Sequence, residues 1–257
     1  MTRDLRVVVV LVAVWLFVST GSSALGGQDP LAVAVLSSSY QAMGGGVVST
    51  IQDTHATVQV TGTDDNGNSL QESVTIETAG QNMNMTNAAA GVVIVVNDDQ
   101  MSITTESGTT LMPRLSLGNA GIVHLPLFSA FADWSNPQVI LQYIGLEQAG
   151  STSVHHVRMQ RPFSQNLGLG TYDEPCDFYI DAQSLLLIKL TYVQRAPSDL
   201  SVTIPVEVDY ANYQLLTGIM VPMSVTYVVN GTDVNPQVVT SFAVNQGTQP
   251  ADFQLRH

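Results

Sequence analysis

The sequence of 257 residues is poor in basic side chains. It has eight lysines and arginines against 21 aspartates and glutamates, a net charge of −13. Without Arg3, Asp4 and Arg6 of the N-terminal leader, six basic and twenty acidic residues remain, a net charge of −14. Nucleic acids and anionic lipid headgroups bind to basic patches. We therefore expect no nucleic acid partner.

Cysteine is nearly absent. Cys176 is the only one, so the chain cannot form an internal disulfide. Glu174 and Asp177 lie next to it in the sequence, and their negative charge would raise the pKa of the thiol, which disfavours a nucleophilic role. We expect Cys176 to pack as a small apolar residue and the core to supply the stability.

Sequence signatures of catalysis and metal binding are also missing. The chain contains no GxSxG motif and no glycine-rich phosphate loop between a strand and a helix. His155 and His156 are neighbours in a predicted strand, so they point to opposite faces and cannot bind one metal ion. The segment that begins at Asp64 resembles a calcium loop, but Thr75 stands where the closing glutamate is needed. We expect no enzyme activity, no metal and no cofactor.

The N-terminus has the layout of a secretory signal peptide. Arg3 and Arg6 precede an uncharged apolar run, residues 7–18, and small residues follow up to Ala24. The run is short for a membrane span, which needs about 20 residues. We predict a signal peptide at 1–24 and one exported domain at 25–257. The predicted location is the bacterial periplasm, with secretion or a retained signal anchor as alternatives.

The first predicted element after the leader is an amphipathic helix. Asp29 is a good N-cap, Pro30 suits the first helical position, and Gly44 to Gly46 end the helix. One apolar stripe at helical spacing consists of Ala32, Leu36, Tyr40 and Met43.

The rest of the chain is rich in strand signals. Residues 219–227 alternate between an apolar face and a mixed face, and Asn66-Gly67 is a strong hairpin signal. We count ten or eleven strands and a second, short helix near 126–134, with irregular chain between 109 and 133. The segment 91–96 is apolar on both faces, so we expect a lid helix or a second sheet to cover its second face. The predicted fold class is mainly β with few helices (α+β), in a single domain.

A sheet of this length must curl, because strand twist accumulates. It either folds into a sandwich or curves around a cavity, with the helices closing the open side. The strands hold unusually many methionines, and methionine is common at surfaces that accept varied apolar ligands. An ordinary core and a ligand pocket both fit these methionines: Met83, Met85, Met101, Met220 and Met223.

Three segments resemble the LolA/LolB-like lipoprotein carriers, and their order along the chain agrees with that family. The first is DFYIDAQSLLLIKL, residues 177–190. The second contains Tyr213, Gly218, Val221 and Pro222, and the third contains Asn245, Gly247, Asp252 and Phe253. The predicted first helix also lies where the carriers have theirs. The resemblance covers most of the chain after the leader.

The resemblance implies an incomplete antiparallel β-barrel with helices as a lid over a hydrophobic cavity for acyl chains. Val221 and Tyr227 would face the concave side, and Pro222 would lie at an edge or a bulge. The sequence departs from the carriers in one respect: residues 55–106 contain no arginine or lysine, whereas the carriers have an arginine in their early strands. The expected lining consists of Leu36, Tyr40, Val58, Val60, Val74, Ile76, Met83, Met85, Ile94, Met101, Ile103, Tyr143, Ile180, Val221, Met223 and Tyr227.

Two functions remain open at this point. The first is a carrier or sensor that binds a lipid or the acyl chain of a lipoprotein in a hydrophobic cavity. The second is a non-enzymatic β domain of the cell envelope that binds a protein partner and no lipid.

Overall fold

The computed structural model describes residues 27–63, 69–80, 82–97, 100–113, 134, 136–161, 175–196 and 198–256. The predicted signal peptide, the Asn66-Gly67 turn, the calcium-like segment at Asp64 and all but one residue of the predicted helix near 126–134 lie outside these ranges. No helix in the described part of the chain is long and apolar enough to cross a bilayer.

One α-helix, α1 (Pro30–Met43), precedes thirteen described strands. The strands are β1 (Asp53–Thr63), β2 (Ser69–Ala79), β3 (Asn82–Asn87), β4 (Val92–Val96), β5 (Gln100–Thr105), β6 (Gly108–Pro113), β7 (Ile140–Ala149), β8 (Thr152–Gln160), β9 (Cys176–Asp181), β10 (Leu187–Ala196), β11 (Asp199–Leu216), β12 (Ile219–Val229) and β13 (Thr232–Val244). Two short 3-10 helices, Gly45–Thr50 and Pro250–Phe253, flank this run of strands.

All thirteen strands form one sheet, and each neighbouring pair is antiparallel. The order is β6-β5-β4-β3-β2-β1-β13-β12-β11-β10-β9-β8-β7, and β6 does not pair with β7. The sheet is therefore an incomplete barrel, as predicted. The last strand lies at its centre, where it joins the β1–β6 meander to the β7–β12 meander.

The predicted strand count was too low. The structure adds β6, Gly108–Pro113, in a region that the sequence predicts to be irregular. This strand has only two large apolar residues, Leu111 and Met112, so it carries no visible alternation. It forms because the edge of β5 supplies hydrogen-bonding partners, as the pairing of Met101 with Met112 shows.

The predicted helix boundaries are confirmed, and one aspartate fixes the start of α1. Asp29 Oδ1 accepts a hydrogen bond from Leu31 N at 2.8 Å, which caps the helix. Asp29 Oδ2 accepts from Tyr143 N at 3.1 Å, and Asp29 N donates to Leu141 O at 3.0 Å. The same residue therefore caps α1 and holds it against the edge strand β7.

α1 covers one half of the sheet. Its principal strand contacts are with β7, β8 and β12. Ala32, Leu36, Ser39 and Met43 are buried, which confirms the predicted stripe except that Tyr40 is only half-buried. We call the core beneath α1 the helix-covered cluster; its buried residues are Ala32, Leu36, Met43, Val48, Val139, Leu141, Val157, Met159, Cys176, Phe178, Ile180, Leu187, Leu190, Tyr192, Val206, Val208, Tyr210, Ile219, Val221 and Val225.

The end of α1 lies directly against the turn between β11 and β12. Gly44 has φ of 130°, and a Cβ atom placed there would lie 2.6 Å from Gly218 O and 2.9 Å from Ile219 Cγ2. The absence of a side chain at Gly44 therefore lets the helix end approach β12.

Replacing Gly44 by alanine is expected to lower the free energy of unfolding by about 2 kcal/mol, because the methyl group meets backbone and the φ is unfavourable. The control is Gly46→Ala, since a Cβ at Gly46 meets nothing within 4 Å. Urea unfolding of both variants measures the difference. Equal stabilities would show that the helix end shifts without cost.

Candidate ligand-binding face

The β1–β6 half of the sheet carries a second apolar surface, on the same side as the helix-covered cluster. Cross-strand pairs align Met83, Val96, Met101 and Met112 in one row. We call this surface the methionine face. Its buried members are Val58, Val74, Ile76, Met83, Val96, Met101 and Val239, and its half-buried members are Val60, Met85, Ile94, Ile103, Met112, Met223 and Phe242.

Five of these fourteen residues are methionines. Methionine side chains are flexible and polarizable, so a surface rich in them adapts to apolar groups of different shape. Met223 and Phe242 also pack against the helix-covered cluster. The two clusters therefore meet, and the methionine face continues the core beyond α1.

Polar pairs mark the two ends of the methionine face. At one end, Thr54 Oγ1 and Thr78 Oγ1 lie 2.5 Å apart and are buried. At the other end, Asn87 Nδ2 donates a hydrogen bond to Glu72 Oε2. Between these two pairs lie the fourteen residues of the methionine face, and none of them carries a charge. Among the described residues of this face and its two end pairs, an apolar guest would therefore meet charge only at Glu72.

A fork in the sheet lies beside the methionine face. The first part of β13, from Thr232 to Val238, pairs with β12, and the last of these pairs joins Val238 to Ser224. The second part of β13, from Gln237 to Val244, pairs with β1. β12 before Ser224 therefore has a local free edge, which agrees with the predicted edge position of Pro222.

An open cavity of about 530 Å³ lies at this fork. The residues that line it come from β11, β12 and β13: Asn212, Tyr213, Gln214, Met223, Ser224, Val238 and Val239. Met223 and Val239 belong to the methionine face, so the cavity adjoins that face. Its volume lies within the range of small-molecule sites, about 300–1,000 Å³.

The structure divides the expected lining residues between the two clusters. Ten lie on the methionine face: Val58, Val60, Val74, Ile76, Met83, Met85, Ile94, Met101, Ile103 and Met223. The other six belong to the helix-covered cluster: Leu36, Tyr40, Tyr143, Ile180, Val221 and Tyr227. Of the sixteen, Met223 alone lines the fork cavity. Met220, singled out with the methionines, packs half-buried against the helix-covered cluster.

Three residues of the methionine face are not among the expected lining residues: Met112, Val239 and Phe242. Met112 lies in β6, which has no readable alternation. Val239 and Phe242 are three residues apart, yet both join the methionine face, because a β-bulge shifts the register of β13 between the partners of Thr57 and Val58. A strict period of two hides such a pair.

The helix-covered part of the expected lining is tightly packed. Leu36, Ile180 and Val221 are at most 1% exposed. Burial, with a smaller contribution from Tyr192, raises the pKa of Tyr227 well above its usual value. Tyr213 donates a hydrogen bond from its hydroxyl to Leu187 O at 2.6 Å, and burial raises its pKa as well. Leu36, Ile180 and Val221 therefore lie in a packed core and not in a cavity.

The two adjacent histidines lie on opposite faces, as predicted. His155 Nδ1 is 2.9 Å from the Tyr143 hydroxyl on the inner side. His156 stacks on Tyr179 on the outer side, with Nδ1 3.0 Å from Glu147 Oε1. Within the described ranges, no three His, Cys, Asp or Glu side chains form a group that could hold a metal ion.

Ion pairs lie on the outer side of the same strands. Arg158 donates two hydrogen bonds to Asp177, at 2.7 and 3.0 Å, and Lys189 Nζ is 2.7 Å from Glu207 Oε1. Burial raises the pKa of Asp177, but the hydrogen bonds from Arg158 and His156 outweigh it and hold that pKa below its usual value. These basic groups are engaged by carboxylates and do not face the candidate site.

Cys176 is 2% exposed and packs in the helix-covered cluster, as predicted. Burial is the main cause that raises the pKa of its thiol to about 12; Arg161 lowers it and Asp177 raises it. The thiol pKa is therefore raised, as predicted, but mainly by burial and not by the neighbouring acids. A thiol with this pKa is protonated at neutral pH and is a poor nucleophile.

No protein-family model matches the sequence, and no curated protein matches it either. Solved structures with the same fold include three at a TM-score of 0.54. A domain from Vibrio parahaemolyticus, described as an outer membrane lipoprotein-sorting protein, is 10% identical and covers 87% of this chain and 96% of its own. A DUF1329 family protein from Desulfovibrio piger is 12% identical, with 87% and 97% covered. A LolA superfamily protein from Nitrosomonas europaea is 10% identical, also with 87% and 97% covered. This chain therefore has the fold of the LolA-superfamily structures.

Proposed function

We propose that this protein is an exported, non-enzymatic carrier or sensor that binds a lipid-like molecule on the methionine face. The observation that carries the proposal is the position of that face, which lies on the inner side of an incomplete barrel, beyond the principal contacts of α1, and adjoins an open cavity. The fold is shared with structures of lipoprotein-sorting and LolA-superfamily proteins, which agrees with a role in handling acyl chains.

The energetics of the face suit an acyl chain. Burying one methylene group contributes about 0.8 kcal/mol, so a long chain offers several kcal/mol after the cost of ordering it. The described residues of the methionine face carry no charge, so an acyl chain that lies on them leaves no charged side chain without a partner. Flexible methionines let the same face accept chains of different length and branching.

The proposal includes export through the predicted signal peptide, residues 1–24, and a periplasmic location for the domain at 25–257. The two arginines, the apolar run and the small residues of the leader support it. An envelope protein partner in place of a lipid is the alternative.

Native mass spectrometry of the protein purified after export from a bacterial host tests the proposal. We expect a discrete excess mass that organic solvent extracts and that behaves as lipid. The stripped protein should then bind a fluorescent fatty-acid analogue. A bare mass together with no binding of the analogue would refute lipid binding and favour the protein partner.

A further inference from the structure

The fork cavity differs from the methionine face in its polar lining. Asn212 and Gln214 of β11 contribute amide groups and are exposed. Ser224 of β12 pairs with Val238, which pairs with Gln59, so the Ser224 hydroxyl faces the outer side of the sheet. None of the seven described lining residues carries a charge. Met223 and Val239 form the apolar side of the same cavity. The cavity therefore has the composition that suits an amphiphile.

The backbone around these polar groups is unusual. Asn212 has φ of 56°, in the left-handed region, although it lies inside β11 rather than in a turn. Asparagine tolerates this conformation better than most residues. Strained positions of this kind often occur at functional sites. Here the strain falls on a residue that lines the cavity.

We infer that the fork cavity is a headgroup subsite that selects an uncharged, hydrogen-bonding headgroup, such as that of an acylglycerol, while the acyl chain runs over Met223 and Val239 onto the methionine face. This inference rests on the proposed function. It adds a position for the polar end of the ligand and a preference for its charge.

The charge preference follows from the lining. An anionic headgroup in the cavity would find amides but no cation among the described lining residues, and the chain after the leader has a net charge of −14. Because Asn212 and Gln214 are exposed, a headgroup beside them loses only part of its water. Without a cation, this partial dehydration still costs more for a carboxylate or a phosphate than for hydroxyl groups, which exchange water for the amide groups. Lys189, the only lysine, is engaged by Glu207 on the outer side of the sheet.

Two lipids with the same acyl chain test the inference. Equilibrium dialysis of the exported protein with labelled 1-palmitoylglycerol and with palmitate at pH 8 gives the two affinities. We expect the glycerol ester to bind about tenfold more tightly, because only palmitate brings a charge. Equal affinities would overturn the subsite and leave the proposed function standing. Absence of binding of either lipid would overturn the proposed function itself.

Variants that add a charge test whether the preference for an uncharged headgroup arises at the fork cavity. Gln214→Lys places a cation at the cavity and is expected to shift the affinity ratio toward palmitate by about fivefold, the size of an exposed ion pair. Gln214→Glu changes the same exposed position and should shift the ratio the other way. Gln148→Lys, at an exposed position of β7 on the far side of the sheet, adds the same charge and should shift it by less than about twofold. An unchanged ratio in both Gln214 variants would contradict a headgroup at the fork.

Discussion

Replacing Asp53 by alanine is expected to release residues 245–256 from the outer face of the sheet and to lower the free energy of unfolding by about 3 kcal/mol. Asp53 lies at the start of β1 and is 3% exposed. Its Oδ1 accepts a hydrogen bond from Gln246 N at 2.7 Å, and its Oδ2 accepts from Gly247 N at 2.9 Å and Thr248 N at 3.2 Å. Alanine would leave three donors without their acceptor.

The released segment matters because it covers the outer face of β3–β5. Its 3-10 helix, Pro250–Phe253, contacts β3, and Arg256 N donates to Ser102 Oγ of β5 at 3.3 Å. Val95 of β4 lies between these contacts and is 2% exposed. Hydrogen exchange should therefore show loss of protection in both the C-terminal segment and β4.

Asp199→Ala is the matched control. Asp199 also accepts hydrogen bonds, but only from Ser201 at an exposed turn, so its loss should cost much less. Urea unfolding of both variants and the parent chain gives the comparison. If Asp53→Ala kept full protection of residues 245–256, other contacts of the segment would be holding it in place.

The stability difference between the parent chain and Asp53→Ala should depend on pH in a direction that follows from the pKa of Asp53. Burial raises the pKa of Asp53, but the three backbone hydrogen bonds, together with a weaker electrostatic attraction from His55, outweigh burial and lower that pKa below its usual value. A depressed carboxyl pKa contributes stability above the unfolded pKa of about 3.9, and this contribution is lost as the pH falls through the folded value. The difference in unfolding free energy between the parent and Asp53→Ala should therefore be constant near neutral pH and shrink below about pH 4. A difference that grows on acidification would contradict this role.

Residues close together in the sequence predicted those elements whose stabilising contacts are also close together in the sequence. Asp29, Pro30 and Gly44 define α1 because capping involves residues next to each other in the chain. The coverage of β4 depends instead on contacts over more than 150 residues, from Ser102 to Arg256. The outer face of β4, where Val95 lies, is covered by the C-terminal segment and not by a lid helix or a second sheet, whereas Ile94 and Val96 belong to the methionine face. Periodicity reveals that a face is buried and not what buries it.

The residues that carry the family resemblance explain why the fold was easier to predict than the ligand. Asp181 accepts hydrogen bonds from Gln183 N and Ser184 N in the β9–β10 turn. Gly218, with φ of 87°, forms the β11–β12 turn, and Asn245 accepts from Gln52 N through its side chain. Phe253 is buried on the outer face of the sheet. These positions specify turns and strand ends, and of the quoted residues only Tyr213 lines the fork cavity.

Met85→Glu is expected to weaken binding of an acyl-chain ligand by at least tenfold, roughly the penalty for leaving an unpaired carboxylate in contact with an apolar guest. Met85 is half-buried in the centre of the methionine face, where it pairs with Ile76 and Ile94. The control is Thr86→Glu. Thr86 is the next residue of β3, is also half-buried, and points to the opposite side of the sheet.

Titration of the stripped proteins with a fluorescent fatty-acid analogue gives the two affinities, and urea unfolding gives the stability of each variant. Both glutamates should lower stability, whereas only Met85→Glu should lower affinity strongly. The affinity of Met85→Glu relative to that of the parent protein at the same pH should recover in part as the pH falls, since a protonated glutamate is uncharged and apolar surroundings raise its pKa. Equal losses of affinity in the two variants would place the acyl chain elsewhere than the methionine face. Because the substitutions occupy adjacent positions of one strand, a general weakening of that strand affects both and cannot produce a difference between them.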